Sequence, residues 1–244
     1  IFIFCLILKA KDTLTFSAAK LDQLDYLVYR MKEKGIYVTT DLYTNRVFKP
    51  GDNIPECDFY DQRQMKMLLP VSRAAMENWK EFARRWMSHK NPYTGLTWAE
   101  EPALYCINLV NEEVLTGNWN RTSSSVKLYE AAFAEYCAKK RLKGGAASNT
   151  NPVFLRFLYE LQDRVLAEQI RFVKETLDVK AMVTSLNHQN QIPLTLLRRR
   201  FDLVDNHAYF DHPGFPEKQW SLPFSYRQVS ALRRMAVVPR NLMA

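Results

Sequence analysis

Apolar residues recur along the chain in two alternating patterns, one with helical spacing and one in short unbroken runs. The first helix is predicted by four apolar residues that share one helical face, Leu21, Leu24, Val28 and Met31. Gly35 follows, and glycine readily adopts the left-handed conformation that ends many helices. The run 36–42, IYVTTDL, then predicts a strand that ends near Asp41.

The same order of helix and strand is repeated further along the chain. A second helix is predicted by four residues at helical spacing, Ala75, Trp79, Phe82 and Trp86. The run 103–110 that follows is apolar on both faces, which is typical of a buried parallel strand. Two more helices are predicted, one over 126–142 and one that begins at Asn151, where Asn suits the N-cap and Pro152 the first turn.

The last third of the chain predicts two further strands. The run 181–186 is one of them, and a short helix over 194–200 leads to the other, FDLVDN at 201–206. Strands that alternate with helices are typical of a parallel α/β fold. The chain has 7 glycines and no glycine-rich nucleotide-binding turn, which argues against an open doubly wound sheet.

Polar residues follow the predicted strands at their carboxyl ends. They are Asp41, Asn111, Glu112, Asn187, His188, His207 and Tyr209. In a (β/α)₈ barrel such strand ends converge on one active-site face. The sequence therefore predicts an α/β fold of the (β/α)₈ TIM-barrel type, as a single domain over 1–244. A full barrel takes about 250 residues, and four predicted strands already use most of this chain, so we expect the barrel to be incomplete.

Charge and composition exclude several other classes of function. The net charge is +8, but Lys and Arg are spread along the predicted helices, with the tightest cluster at 198–200. No nucleic-acid-binding motif accompanies them, so a basic nucleic-acid-binding domain is the weakest of three hypotheses. The apolar run 1–8 is far shorter than the ~20 residues of a membrane span. The 4 cysteines form no CxxC pair and the histidines no HxH or HExxH motif, so neither a metal site nor a cofactor is predicted.

Glu112 directly follows the apolar strand and is the candidate for acid–base chemistry. Glycosidic bond cleavage needs two carboxyl groups, one of which protonates the leaving oxygen. Partial burial at a strand end favours the protonated form of a carboxyl group. Asn111 beside it can donate a hydrogen bond to a sugar hydroxyl. Glu113 is expected to point elsewhere, as a structural or rim residue.

The stretch YCINLVNEE, which contains Asn111 and Glu112, resembles the fourth-strand motif of clan A glycoside hydrolases, the cellulase-like barrels of family 5 type. Three more segments agree with that family in order and spacing: LDQLDYLVYRMKEKGIYVTTDLY, HKNPYTGLTWAEEPAL and FDLVDNHAYFDHPGF. The resemblance covers roughly residues 20–216. It implies that Glu112 is the general acid/base and that Asn111 binds substrate. Four further residues match the family's cleft, the last two less closely: His207, Tyr209, Asn187 and His188.

The sequence also departs from the family. Its nucleophile is a Glu at the end of the seventh strand, and no strand followed by Glu occurs after Tyr209. The first two barrel strands are not recognisable in residues 1–20, so we expect truncation at both ends. Asp41, at a strand end, is expected either to contact substrate or to cap a loop.

The two stronger hypotheses for function follow from these residues. The first is retaining hydrolysis of a β-linked poly- or oligosaccharide, and the alternative is a catalytically inactive barrel remnant that binds carbohydrate. Three tryptophans in predicted loops are either sugar platforms or packing residues, Trp98, Trp119 and Trp220. The sequence leaves the sugar, the linkage, the oligomeric state and the localisation open.

Overall fold

The structure is a computed structural model, and it describes residues 11–44, 46–57, 63–188, 195–207, 213–218 and 221–225. The chain divides into two compact units, Ile1–Asp205 and Asn206–Ala244. The first unit contains the helices and strands named below. In the second unit, Gly214 and Ser225 form an antiparallel bridge.

Six α-helices and three strands make up the described part of the first unit. The helices are α1 (Ala18–Glu33), α2 (Gln64–Leu68), α3 (Arg73–Met87), α4 (Leu115–Asn118), α5 (Ser123–Lys140) and α6 (Pro152–Arg171). The strands are β1 (Val38–Asp41), β2 (Leu104–Asn108) and β3 (Met182–Thr184). A π-helical turn, Phe172–Thr176, extends α6, and short 3₁₀ turns lie at Pro50–Asp52 and Leu196–Arg200.

The three strands form one parallel sheet in the order β1-β2-β3. Asp41, Asn108 and Thr184 are paired across it, so the three strands end at nearly the same level. Parallel neighbours need long crossover connections. Helices α2 and α3 connect β1 to β2, and α4, α5 and α6 connect β2 to β3. The predicted α/β class with a parallel sheet is thus confirmed, while an eight-stranded barrel is not shown.

Local sequence signals account for the helix boundaries. The Ser72 side chain caps α3 by accepting a hydrogen bond from the Ala75 amide at 3.1 Å. The predicted cap of α6 is confirmed, since the Asn151 side-chain oxygen accepts hydrogen bonds from the amides of the second and third helical residues, with Pro152 at the first position. Gly35, after α1, has the positive φ of +69° that its position predicted.

Two hydrophobic clusters form the core. The larger one packs the buried faces of α1, α3 and α6 against the sheet, and Trp79 lies at its centre, fully buried. The Trp79 indole also donates a 3.1 Å hydrogen bond to the carbonyl of Leu109, just after β2. The smaller cluster joins α5 and α6 around Phe133, Phe154 and Trp119.

The predicted strand over 201–206 is wrong. Residues 201–203 bend, and Val204 is 60% exposed. The Asp202 amide does donate to the Val183 carbonyl at 3.1 Å, but the Val183 amide donates to the Asp202 carboxylate at 2.8 Å. Because this side chain takes the place of a backbone carbonyl, the ladder beside β3 stops after one backbone hydrogen bond.

Candidate active site

The loops that leave the three strands are joined by hydrogen bonds through Asn111. Its amide donates to the Tyr43 carbonyl, after β1, at 2.8 Å. Its side-chain NH₂ lies 3.5 Å from the Thr44 hydroxyl oxygen, and its side-chain oxygen accepts from the Asn187 NH₂, after β3, at 3.2 Å. Asn111 therefore connects the ends of all three strands of the sheet.

The backbone of Glu112 is held in a left-handed conformation, with φ +51°. This region is sparsely populated by residues other than glycine and is maintained only where the surroundings impose it. Here the Glu112 amide donates to the Asn187 side-chain oxygen at 2.7 Å, and its carbonyl accepts from the Lys66 ammonium at 3.2 Å. Both backbone polar groups of Glu112 are thus bound by side chains from distant parts of the chain.

Burial divides these residues into a supporting layer and an accessible layer. Asn187 is completely buried, and its amide group spans Asn111 and Glu112. We expected it to contact substrate, but the structure gives it the position of a brace beneath the two residues. Asn111 and Glu112 are half-buried and are therefore within reach of a ligand.

The cation beside Glu112 was missed by the sequence analysis. Lys66 lies in the short helix α2, within the apolar stretch MKMLLP. Burial lowers the pKa of Lys66, and the carboxylates of Glu112 and Glu113 oppose that effect. The sequence could have indicated this residue, because a lysine within an apolar stretch is expected to be partly buried and its ammonium then needs polar partners.

The most deeply buried carboxyl group at this place belongs to Glu113. Glu113 is fully buried, and this burial raises the pKa of its carboxyl group to about 7. The nearby Gln162 side chain and the positive charge of Lys66 act in the opposite direction and lower the pKa. Among the described residues, neither carboxylate oxygen of Glu113 has a hydrogen-bond partner of regular geometry. This burial agrees with a structural role for Glu113 and does not agree with a position at the rim of the site.

Asp41 is half-buried at the end of β1 and accepts a 2.7 Å hydrogen bond from the Asn108 side chain. Asn108 is itself buried and was not singled out from the sequence, although an amide inside an apolar strand was a usable signal. The pairing of Asp41, Asn108 and Thr184 places a polar row along this edge of the sheet. Asp41 therefore shares the sheet edge with the Glu112 loop.

The structure describes two of the three remaining predicted site residues. His188 follows Asn187 directly and is exposed. His207 lies in the second compact unit, and Tyr209 lies outside the described residues.

For two of the three tryptophans, the structure supports the packing alternative. Trp98 is 2% exposed and packs on Trp86 with ring centroids 5.4 Å apart. Trp119 is 5% exposed and lies against Phe154 in the smaller core cluster. Trp220 lies outside the described residues.

Within the described ranges, no three His, Cys, Asp or Glu side chains come together as a metal site. None of the helices described there combines the length and the apolar character needed to cross a membrane.

Among solved structures, the chain has a weak similarity to one glycoside-cleaving enzyme. The endo-β-1,4-mannanase from Thermotoga petrophila is similar to this chain with a TM-score of 0.41 and 18% sequence identity. The match covers 68% of this chain and 27% of the mannanase, so the chain spans about a quarter of that enzyme. A likeness of this size defines neither the fold nor the activity of the chain. No protein family and no curated protein matches the sequence.

Proposed function

We propose that this chain belongs to a glycosidase in which Glu112 is the general acid/base. The observation that carries the proposal is the fixed backbone of Glu112, bound at its amide by Asn187 and at its carbonyl by Lys66. A proton donor in catalysis must be placed to within a fraction of an ångström of its target. A left-handed backbone held from both sides supports this role, because it fixes the point from which the Glu112 side chain extends at the edge of a parallel sheet.

The neighbouring residues suit recognition of a sugar. The half-buried side chain of Asn111 would donate to a hydroxyl group beside the reacting carbon, where such hydrogen bonds strengthen in the transition state. Asp41 would accept from another hydroxyl at the same sheet edge. His188, His207 and Tyr209 remain proposed substrate contacts on the basis of the sequence resemblance alone.

In the proposed reaction, Glu112 protonates the leaving glycosidic oxygen and then deprotonates the water that releases the product. Retention of configuration requires a second carboxylate, which attacks the anomeric carbon. In retaining enzymes this carboxylate lies about 5 Å from the carboxyl group of the acid. We assign no described residue to that role. The substrate class that we propose is a β-linked poly- or oligosaccharide.

A second candidate function is carbohydrate binding without cleavage. It is favoured by the sheet itself, because the described residues form three strands, whereas a (β/α)₈ active site draws residues from the ends of many strands. In that case Asn111 and Asp41 would still hold a sugar, but no bond would be broken.

The two candidates are separated by assaying the purified chain on soluble β-glucans, β-mannans and β-xylans. The first candidate predicts release of reducing ends by the unchanged chain, which also requires a nucleophilic carboxylate, and a loss of at least a hundredfold in Glu112→Gln, with binding retained in affinity electrophoresis. Glu130→Gln, at an exposed position on α5, is the matched control and should keep full activity. Binding without release by the unchanged chain would favour the second candidate, and equal activity in Glu112→Gln would refute the assignment of the acid.

A further inference from the structure

The loop that leaves β3 is bound by an arginine that has no part in the proposed chemistry. Arg198 lies in the short 3₁₀ turn Leu196–Arg200 and is buried, with 6% of its surface exposed. Its Nε and Nη2 atoms both donate to the Leu186 carbonyl, at 3.1 Å and 2.5 Å. Because a guanidinium presents its N–H groups in a rigid planar fork, this contact restrains the direction of the carbonyl as well as its position.

The carbonyl that Arg198 binds belongs to the peptide group that joins Leu186 to Asn187. Leu186 has a left-handed backbone with φ +54°, which residues other than glycine keep only where their surroundings impose it. The Leu186 side chain is buried in the larger core cluster, with 1% exposed. Core packing on one side and Arg198 on the other therefore fix the backbone from which the Asn187 side chain extends.

The turn that carries Arg198 has anchors of its own. Leu197 is fully buried in the larger core cluster. The Arg200 guanidinium makes two hydrogen bonds to the Asp163 carboxylate of α6, at 2.5 Å and 2.6 Å. The Asp202 carboxylate accepts a 2.8 Å hydrogen bond from an amide of β3. These contacts hold the turn in place without Arg198, so replacing Arg198 should affect only what its guanidinium binds.

We propose that Arg198 is a positioning residue for Glu112, which it reaches through Asn187. The fork on the Leu186 carbonyl sets where the Asn187 side chain begins. The Asn187 side-chain oxygen accepts from the Glu112 amide at 2.7 Å, and its NH₂ group donates to Asn111 at 3.2 Å. The proposal rests on the proposed function only in naming Glu112 as the acid/base. Its test therefore reads the order of the loop and not turnover.

Hydrogen exchange followed by NMR measures how often the Glu112 amide loses its bond to Asn187. Arg198→Met keeps an unbranched side chain but has no donor, and we expect the Glu112 amide to exchange about tenfold faster in this variant, as expected when a hydrogen bond from a charged donor is lost. The NH₂ group of the Asn187 side chain should exchange faster as well. Amides in the middle of α3, which report opening of the whole fold, should change by less than about twofold.

Arg199→Met is the matched control, because it makes the same substitution at the next position, which is exposed. It should leave the exchange of the Glu112 amide and of the α3 amides unchanged. Unchanged exchange of the Glu112 amide in Arg198→Met would overturn the proposal. Equal acceleration at Glu112 and in α3 would also overturn it, because it would show a general effect on folding.

A second variant decides the matter if Arg198→Met does not fold. Arg198→Lys keeps the positive charge, but an ammonium on a flexible stem does not reproduce the planar fork. We expect the Glu112 amide to exchange about threefold faster in Arg198→Lys, with the α3 amides unchanged. Full protection of the Glu112 amide in this variant would show that the forked contact does not position Glu112.

Discussion

Replacing Glu113 by Gln should stabilise the folded chain at high pH and have little pH-dependent effect at low pH. Burial raises the pKa of Glu113 from its ordinary value of 4.5 to about 7. Because the folded state binds this proton more tightly than the unfolded state, stability is lost as pH rises from about 4.5 to about 7. At about 1.36 kcal/mol for each pKa unit, the loss amounts to about 3 kcal/mol.

Urea unfolding monitored by tryptophan fluorescence, repeated between pH 4 and pH 8.5, measures this effect. The quantity to follow is the difference in unfolding free energy between Glu113→Gln and the unchanged chain, since it cancels the titration of other groups. We expect that difference to rise by about 3 kcal/mol in favour of the variant across the window and then to level off. A difference that stays constant within about 1 kcal/mol would show that Glu113 titrates normally, and the reasoning from burial would fail.

Two further predictions concern hydrogen bonds that join the strands to their surroundings. Asn187→Ala removes the brace of Asn111 and Glu112 and should lower the unfolding free energy by about 2–3 kcal/mol. His188→Ala, at an exposed position, should change the unfolding free energy by less than about 0.5 kcal/mol. Equal losses in Asn187→Ala and His188→Ala would contradict the role of Asn187 as a brace. Trp79→Phe keeps an aromatic ring but removes the indole N–H bound to the Leu109 carbonyl and some buried packing volume, and we expect a loss of at least about 1–3 kcal/mol in the same urea assay. No loss would show that neither this hydrogen bond nor the indole packing adds to stability.

The elements predicted correctly from the sequence are those whose signals are local. The Asn151–Pro152 pair sets the start of α6 through hydrogen bonds to the next turn, and Gly35 ends α1 through its own backbone. Such signals are complete within a few residues, so they can be read without knowing any tertiary contact. The amphipathic helix α3, which contains Trp79, was predicted equally well, because helical spacing alone places its apolar residues on one face.

The errors came from contacts between residues far apart in sequence. The run 201–206 has the composition of a strand, but the Asp202 carboxylate takes the hydrogen bond that a strand backbone would have made with Val183. Lys66 was overlooked because its partner, the Glu112 carbonyl, lies 46 residues away. The burial of Asn187 depends likewise on the loop after β2, which a linear pattern does not reveal.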